Sequence, residues 1–141
     1  MEIYTLTIRF PKFDPMDRDP WQRIVEVKED FTLKQLHKFI QKIIEFDDDH
    51  LYEFYVGRNY GNNQKVIPKS TRLKDLYPIT GVKLYYLFDF GDSWIFEILK
   101  SRKMKKEETG VQYPRVIEAV GENPEQYPDY DEDEEDEEDD E

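Results

Sequence analysis

Residues 31–46 read Phe-Thr-Leu-Lys-Gln-Leu-His-Lys-Phe-Ile-Gln-Lys-Ile-Ile-Glu-Phe, and they organise everything around them. Leu33, Leu36, Ile40, Ile43 and Ile44 recur at the spacing of one helical face, while Lys34, Lys38, Gln41 and Lys42 fall on the opposite side. Thr32 is placed to cap the first turn, and Gln35 three residues on completes a capping box. Phe31, just before the cap, stands where it can pack on Leu36 as a hydrophobic staple. Asp47-Asp48-Asp49 ends the apolar period, so the pattern predicts a helix over 33–46.

On the N-terminal side, Ile3–Phe10 alternates, with Tyr4, Leu6, Ile8 and Phe10 on one face, as in a half-buried strand. Pro11–Pro20 holds three prolines and three aspartates and reads as a loop. Trp21–Lys28 resumes a period of two, with Trp21, Val25 and Val27 together. The two segments are expected to pair antiparallel. On the C-terminal side, Leu51–Gly57 has strand character, residues 57–71 carry loop signals, and Ser70–Leu76 suggests one helical turn. Val82–Phe88 and Trp94–Leu99 read as a hairpin joined by Asp89-Phe90-Gly91-Asp92.

The expected order is therefore β-β-α-β-(short helical turn)-β-β. This predicts an α+β fold: a single mixed β-sheet with one main helix packed on one face, in a β-grasp-like arrangement. Residues 101–110 read as a polar loop and Tyr113–Val120 as a short ordered segment. The chain divides into one domain over 1–125 and an acidic tail over 126–141.

Charge supports that division. Residues 129–141 hold 12 of the 33 acidic residues and no basic one, which leaves 21 acidic against 20 basic groups in the first 128. The acidity belongs to the tail. Eleven consecutive carboxylates at 131–141 cannot form a core, so the tail is expected to be disordered, serving solubility or docking on a basic surface such as Lys100–Lys106. The body contains most of the 10 Tyr, 9 Phe and 2 Trp, which argues for a packed interior. Without cysteine there are no disulfides, thiolate metal sites or Cys nucleophiles, as expected of a cytoplasmic protein. No apolar run is long enough to span a membrane, so no membrane association is expected.

Four segments have side chains capable of chemistry. Asp89-Phe90-Gly91-Asp92-Ser93-Trp94 contains the triplet of the kinase magnesium loop, but the chain is far too short for a kinase and lacks its other signatures. The plain reading is a tight turn in which Gly91 takes positive φ and Asp89 or Asp92 accepts backbone N–H bonds. Trp94 shares strand parity with Phe96 and Ile98, which predicts burial. Asp47–Asp49 with His50 and Glu53 offers metal-ligating groups. However, His50 and Glu53 fall on opposite strand faces and His37 lies mid-helix, so a helix-ending acidic loop is the simpler reading. Gly57–Gly61 lacks the ending of a phosphate loop, and no serine sits in a nucleophile motif. Lys100, Arg102, Lys103, Lys105 and Lys106 form a basic run, yet a near-neutral body and an acidic tail argue against nucleic acid.

Taken in order, Trp21-Gln-Arg-Ile24, the capped helix, His50-Leu-Tyr-Glu-Phe54, Asp89–Trp94, Tyr113-Pro-Arg115 and Gly121-Glu-Asn-Pro124 resemble the plasmid pRiA-type ORF-three-like family over roughly residues 3–125. The resemblance implies a compact fold with some likeness to the β-grasp, an association with mobile elements and no established activity. A resolvase-like label accompanies some relatives, but no nucleophilic serine among arginines and no DNA-binding helix pair is present here. Many members carry histidine at the position of Tyr52, a polar group near Phe96 and cysteines after Glu122. Their absence here removes any metal site formed from those positions.

The expected function is a non-catalytic binding module for a protein or small-molecule partner, with no cofactor. Its pocket residues are expected to be His50, Glu53, Asp89, Asp92, Trp94, Arg115 and Glu122. The alternative is a hydrolase or metal-assisted enzyme in which His50, Asp89, Asp92 and Glu122 divide acid and base roles. That alternative requires these groups, with Arg115, to meet in one concave site.

Overall fold

The computed structural model describes residues 1–12, 14, 16–58 and 64–127. The stretch of the acidic tail expected to be disordered lies outside the described residues from position 128 onward. The chain forms β1 (Glu2–Arg9), β2 (Gln22–Lys28), α1 (Leu33–Ile44), β3 (Tyr52–Gly57) and β4 (Lys65–Ile67). It continues through α2 (Leu73–Leu76), β5 (Lys83–Phe88), β6 (Trp94–Lys106) and β7 (Arg115–Val120).

The seven strands make one sheet in the order β4-β3-β5-β6-β1-β2-β7, and every pairing is antiparallel. This corrects the expected α+β fold with a mixed, β-grasp-like sheet. The first and a late strand do lie side by side, but β1 and β6 run in opposite directions, with Ile8 opposite Ile98. The β5–β6 hairpin fixes the direction of β6, and β5 is itself antiparallel to β3. The helical share is also smaller than expected, with α1 and α2 spanning 12 and 4 residues beside seven strands. Two strands fall where loops or weak order were expected: β4 inside 57–71, and β7 within 113–120. β6 runs on through the basic segment to Lys106 because the N-terminal half of β1 supplies its partner, Glu2 opposite Lys106. A register shift between Tyr4 and Leu6 of β1 absorbs the extra β6 residues near Ser101 as a bulge.

The helix starts as the sequence predicts. Thr32 accepts from the Gln35 amide while the Gln35 side chain accepts from the Thr32 amide, so both halves of the capping box are made. It stops at Ile44 because Glu45 turns left-handed at φ 63°, two residues before the expected end. Leu33, Leu36, Ile40 and Ile44 are fully buried and join Leu6, Ile8, Phe54, Tyr86, Phe88 and Phe96 in one core on a single sheet face. Deleting any of these large side chains would cost a few kcal/mol, the scale for a core cavity.

The opposite sheet face carries a smaller cluster of Tyr55, Tyr85 and Ile95. Two buried glutamates lie on this face as well. Glu97 meets Arg9 at 2.8 Å, and Glu26 meets Lys105 and Arg115 at 2.7 Å each. Burial alone would push the Glu26 carboxyl upward, but the hydrogen bonds from Lys105 and Arg115 outweigh it and hold the pKa below its ordinary value.

Candidate functional site

Three segments meet at the end of the sheet where β1 finishes and β2 and β6 begin. They are the β1–β2 loop, the β5–β6 turn and the stretch after β7. Together they enclose an open cleft of about 750 Å³, whose wall includes Arg18, Asp92, Trp94 and Glu122.

Arg18 holds the first two segments together. Its guanidinium lies 3.7 Å from the centre of the Trp94 ring and donates to the carbonyls of Asp92 (2.7 Å) and Ser93 (3.0 Å). Asp14, whose carboxylate is buried, anchors the arginine through Nη1 at 3.1 Å and through its backbone N–H at 3.1 Å. Beneath, Trp94 is 3% exposed and packs on Phe10 and Phe46, as its strand parity predicts. Its indole N–H has no hydrogen-bond partner among the described residues. A buried unpaired donor costs about 1–3 kcal/mol, so it is a feature that needs a reason.

The β5–β6 turn differs from expectation in one respect. Asp89, not Gly91, takes the left-handed conformation, at φ 63°, and Ser93 follows at φ 54°; Gly91 is not at positive φ. The Asp89 carboxylate does accept from the amides of Gly91 and Asp92, as expected of a turn aspartate. Aspartate tolerates left-handed backbone because its short side chain bonds locally, so the glycine is not required for that role.

The segment after β7 is clasped to the rest by two amides. Asn123 Oδ1 accepts from the Trp21 indole (2.8 Å) and from Arg23 (3.0 Å), while its Nδ2 donates to the Ile43 carbonyl near the end of α1. Gln126 exchanges bonds with the Asp47 backbone in both directions. Gly121 makes the approach possible: at φ 86°, a Cβ there would stand 2.3 Å from the Pro20 carbonyl oxygen. Two strings far apart in sequence, Trp21-Gln-Arg and Gly121-Glu-Asn, are thus halves of one clasp.

The seven residues expected to form a pocket divide into three groups. Asp92, Trp94 and Glu122 line the cleft. His50 and Asp89 meet beside it, Nε2 to Oδ2 at 3.4 Å, and His50 also bonds the Tyr127 hydroxyl at 2.7 Å. Tyr127 donates in turn to Asp49, which assigns the His50 Nε2 as the donor to Tyr127. Glu53 and Arg115 lie elsewhere. Glu53, opposite Leu87, faces the other side of the sheet, and Arg115 sits at the far end of β7 bound to Glu26. His50, Asp89, Asp92, Arg115 and Glu122 therefore do not form one constellation. Among the described residues, no group of three or more histidines and carboxylates is arranged to hold a metal ion.

A second polar network, unforeseen from the sequence, lies inside the core. His37 is buried on α1, stacked at 3.5 Å on Tyr52, with Nε2 3.0 Å from Asp48 and Nδ1 2.5 Å from the Tyr86 hydroxyl. Gln41, buried rather than on the solvated side of the helix as expected, donates to the same hydroxyl at 2.9 Å. The set closes with a neutral imidazole: Nε2–H to Asp48, and Tyr86 O–H to Nδ1. Burial lowers the His37 pKa, partly opposed by Asp48, which agrees with that protonation. His37, Gln41 and Tyr86 are buried and only Asp48 of the set reaches solvent, so its buried members are structural.

Arg18, Asn123 and Gln126 are the site residues that sequence reasoning missed. Nothing local marks Arg18. Asn123, between Gly121 and Pro124, had a signal in its Gly-x-Asn-Pro context.

The family model described as plasmid pRiA4b ORF-3-like protein matches residues 2–132. The uncharacterized protein y4hQ of Sinorhizobium fredii (strain NBRC 101917 / NGR234) is 30% identical over 111 residues, covering 72% of this chain and 56% of that protein. The chain thus spans little more than half the length of that relative. A crystal structure of a protein of unknown function, MM3350 from Methanosarcina mazei Go1, is similar with a TM-score of 0.68 and 25% identity, over 84% of this chain and 69% of that one. Among the described residues no helix is long and apolar enough to cross a membrane.

Proposed function

The chain belongs to the plasmid pRiA4b ORF-3-like family, and from that premise we propose that it is a non-catalytic binding module whose ligand occupies the cleft walled by Arg18, Asp92, Trp94 and Glu122. One observation supports this above others: the lining of the cleft sets five carboxylates against one guanidinium. The carboxylates are those of Asp17, Asp19, Asp92, Glu122 and Glu125, and the guanidinium is that of Arg18, already engaged by Asp14 and the turn carbonyls. That charge balance favours a cationic ligand, such as a lysine- or arginine-bearing peptide. Asp92 and Glu122 line the cleft and His50 and Asp89 meet beside it, but Arg115 lies at the far end of β7, so the one concave site that the hydrolase or metal-assisted alternative requires is not assembled, and binding accounts for the geometry better.

Both tryptophans of the chain stand at this end, so their emission reports the cleft. Titrating a short Lys/Arg peptide against the full chain at constant ionic strength should give a saturable emission change. Amide shifts should accompany it at residues 17–19, 92–94 and 121–126. Asp92→Asn with Glu122→Gln should weaken binding severalfold while leaving the melting temperature near that of the parent. An emission change no larger than added sodium chloride produces would sink the reading, as would shifts confined to the acidic tail.

A further inference from the structure

We propose a second binding site, of opposite charge, beside the C-terminal half of β6, for a small organic anion that carries a carboxylate or phosphate head on an apolar body. The site arises from the sheet topology. β5 begins at Lys83 and pairs with β6 only as far as Leu84 opposite Ile98. From Leu99 onward β6 has β1 on one side and, among the described residues, no strand on the other. The turn that leads from α2 into β5 flanks this notch and closes a pocket of about 320 Å³, within the size range of small-molecule sites.

The lining is divided by chemistry. Pro78, Ile79, Val82 and Ile98 supply an apolar floor, while Lys100 and Arg102 supply the charge, and no carboxylate lines the pocket. Lys100 is pre-positioned. Its ammonium lies 4.6 Å from the centre of the Tyr4 ring and 5.8 Å from that of Tyr77, and it donates to the Ser101 carbonyl at 3.2 Å. Rings and a carbonyl orient a cation without neutralising it. Neither Lys100 nor Arg102 has a carboxylate partner among the described residues; Lys83 reaches Glu97 at 3.6 Å, but Arg9 shares that carboxylate. The acidic groups acting on the Tyr4 hydroxyl, namely Glu29, Glu2 and Asp75, do not line the pocket, and Glu2 is held by Lys106.

Tyr77 also lines the pocket, with its hydroxyl buried away from solvent. Two cations without a carboxylate partner suit an anionic oxygen, and the apolar floor selects an anion with a hydrocarbon body over a bare one.

The test is amide and side-chain NMR of the full chain with four probes: phenylacetate, phenyl phosphate, acetate and inorganic phosphate. The expected result is saturable shifts at residues 77–83 and 98–102, with the aryl probes binding about tenfold tighter than their bare counterparts. The stronger of the two aryl probes identifies the head group. Lys100→Met with Arg102→Gln, both on a solvent-accessible strand end, should weaken binding about tenfold or more. Asp92→Asn in the cleft should leave it unchanged. The proposal is overturned if no saturable shifts arise at these residues, if the double variant binds as the parent does, or if bare and aryl anions bind equally. Because the shifts fall on different residues from those of the cleft, failure here is distinguishable from failure of the cleft reading.

Discussion

Replacing Gly121 by alanine tests the clasp that forms the cleft. Two costs apply at this position. At φ 86° a Cβ is strained, which costs about 1–2 kcal/mol for left-handed backbone. The same Cβ would stand 2.3 Å from the Pro20 carbonyl oxygen and 3.2 Å from the Trp21 Cα, and neither backbone atom can swing aside as a side chain does. The segment after β7 must then move away from β2. At stake are the Asn123 bonds to Trp21, Arg23 and Ile43, and the Arg23 bond to the Gly121 carbonyl. At about 0.5–1.5 kcal/mol each, losing half of them adds about 2 kcal/mol. Gly110 is the matched control: its φ is 87°, and a methyl added there would meet nothing within 4 Å. Gly110→Ala should therefore cost only the strain, and Gly121→Ala about 2 kcal/mol more. Urea denaturation followed by tryptophan emission and by circular dichroism measures both. Equal losses in the two variants would refute the close approach and, with it, the clasp as the wall of the cleft.

Two further outcomes follow from the buried polar groups. Burial lowers the folded-state pKa of His37, so the unfolded chain binds the proton more readily. Stability from this group is complete above the unfolded pKa of about 6.5 and declines as pH falls below it. Urea midpoints at pH 7, 6 and 5 should show that decline in the parent and a shallower one in His37→Phe, with His50→Gln as the control; parallel pH profiles for the parent and His37→Phe would refute the assignment. At Asp89, asparagine should be tolerated within about 1 kcal/mol, since it accepts the same amides and suits left-handed backbone, whereas alanine should cost about 1–3 kcal/mol. A melting temperature for Asp89→Ala equal to that of the parent would remove Asp89 from its role in the turn.

Much of the local structure was legible from the chain. The capping box at Thr32 and Gln35, the alternation of Tyr4, Leu6 and Ile8, and the parity of Trp94 with Phe96 and Ile98 each involve residues within a few positions of one another. Their chemistry acts over that range, and the structure has them as read. The turn at Asp89 was legible in kind but not in detail, because aspartate and glycine can both take positive φ and only the hairpin geometry selects between them. Of the residues expected to form a pocket, Asp92, Trp94 and Glu122 share the wall of the candidate cleft, and His50 reaches Asp89. Arg115 was misplaced because its partner, Glu26, lies 89 residues away in sequence.

The sequence by itself determined, to within a residue, where α1 and the strands β1, β2, β3, β5 and β6 begin, and that an aspartate of the β5–β6 turn bonds its backbone. These are consequences of periodicity and capping, which operate between near neighbours. Tertiary structure decided the rest. An all-antiparallel sheet replaced the mixed one because strand direction depends on which strands pair, not on any strand's own residues. The polar run after Leu99 became strand because β1 offered an edge to pair with, and Arg18 became a site residue because it lies over a ring 76 positions away. The opposite charges at the two ends of β6 likewise emerged only on folding. Loops far apart in sequence gather carboxylates at one end, and the early end of β5 leaves cations uncovered at the other. The basic run from Lys100 is a local pattern, but which of its cations pair and which stay uncovered arises from long-range contacts.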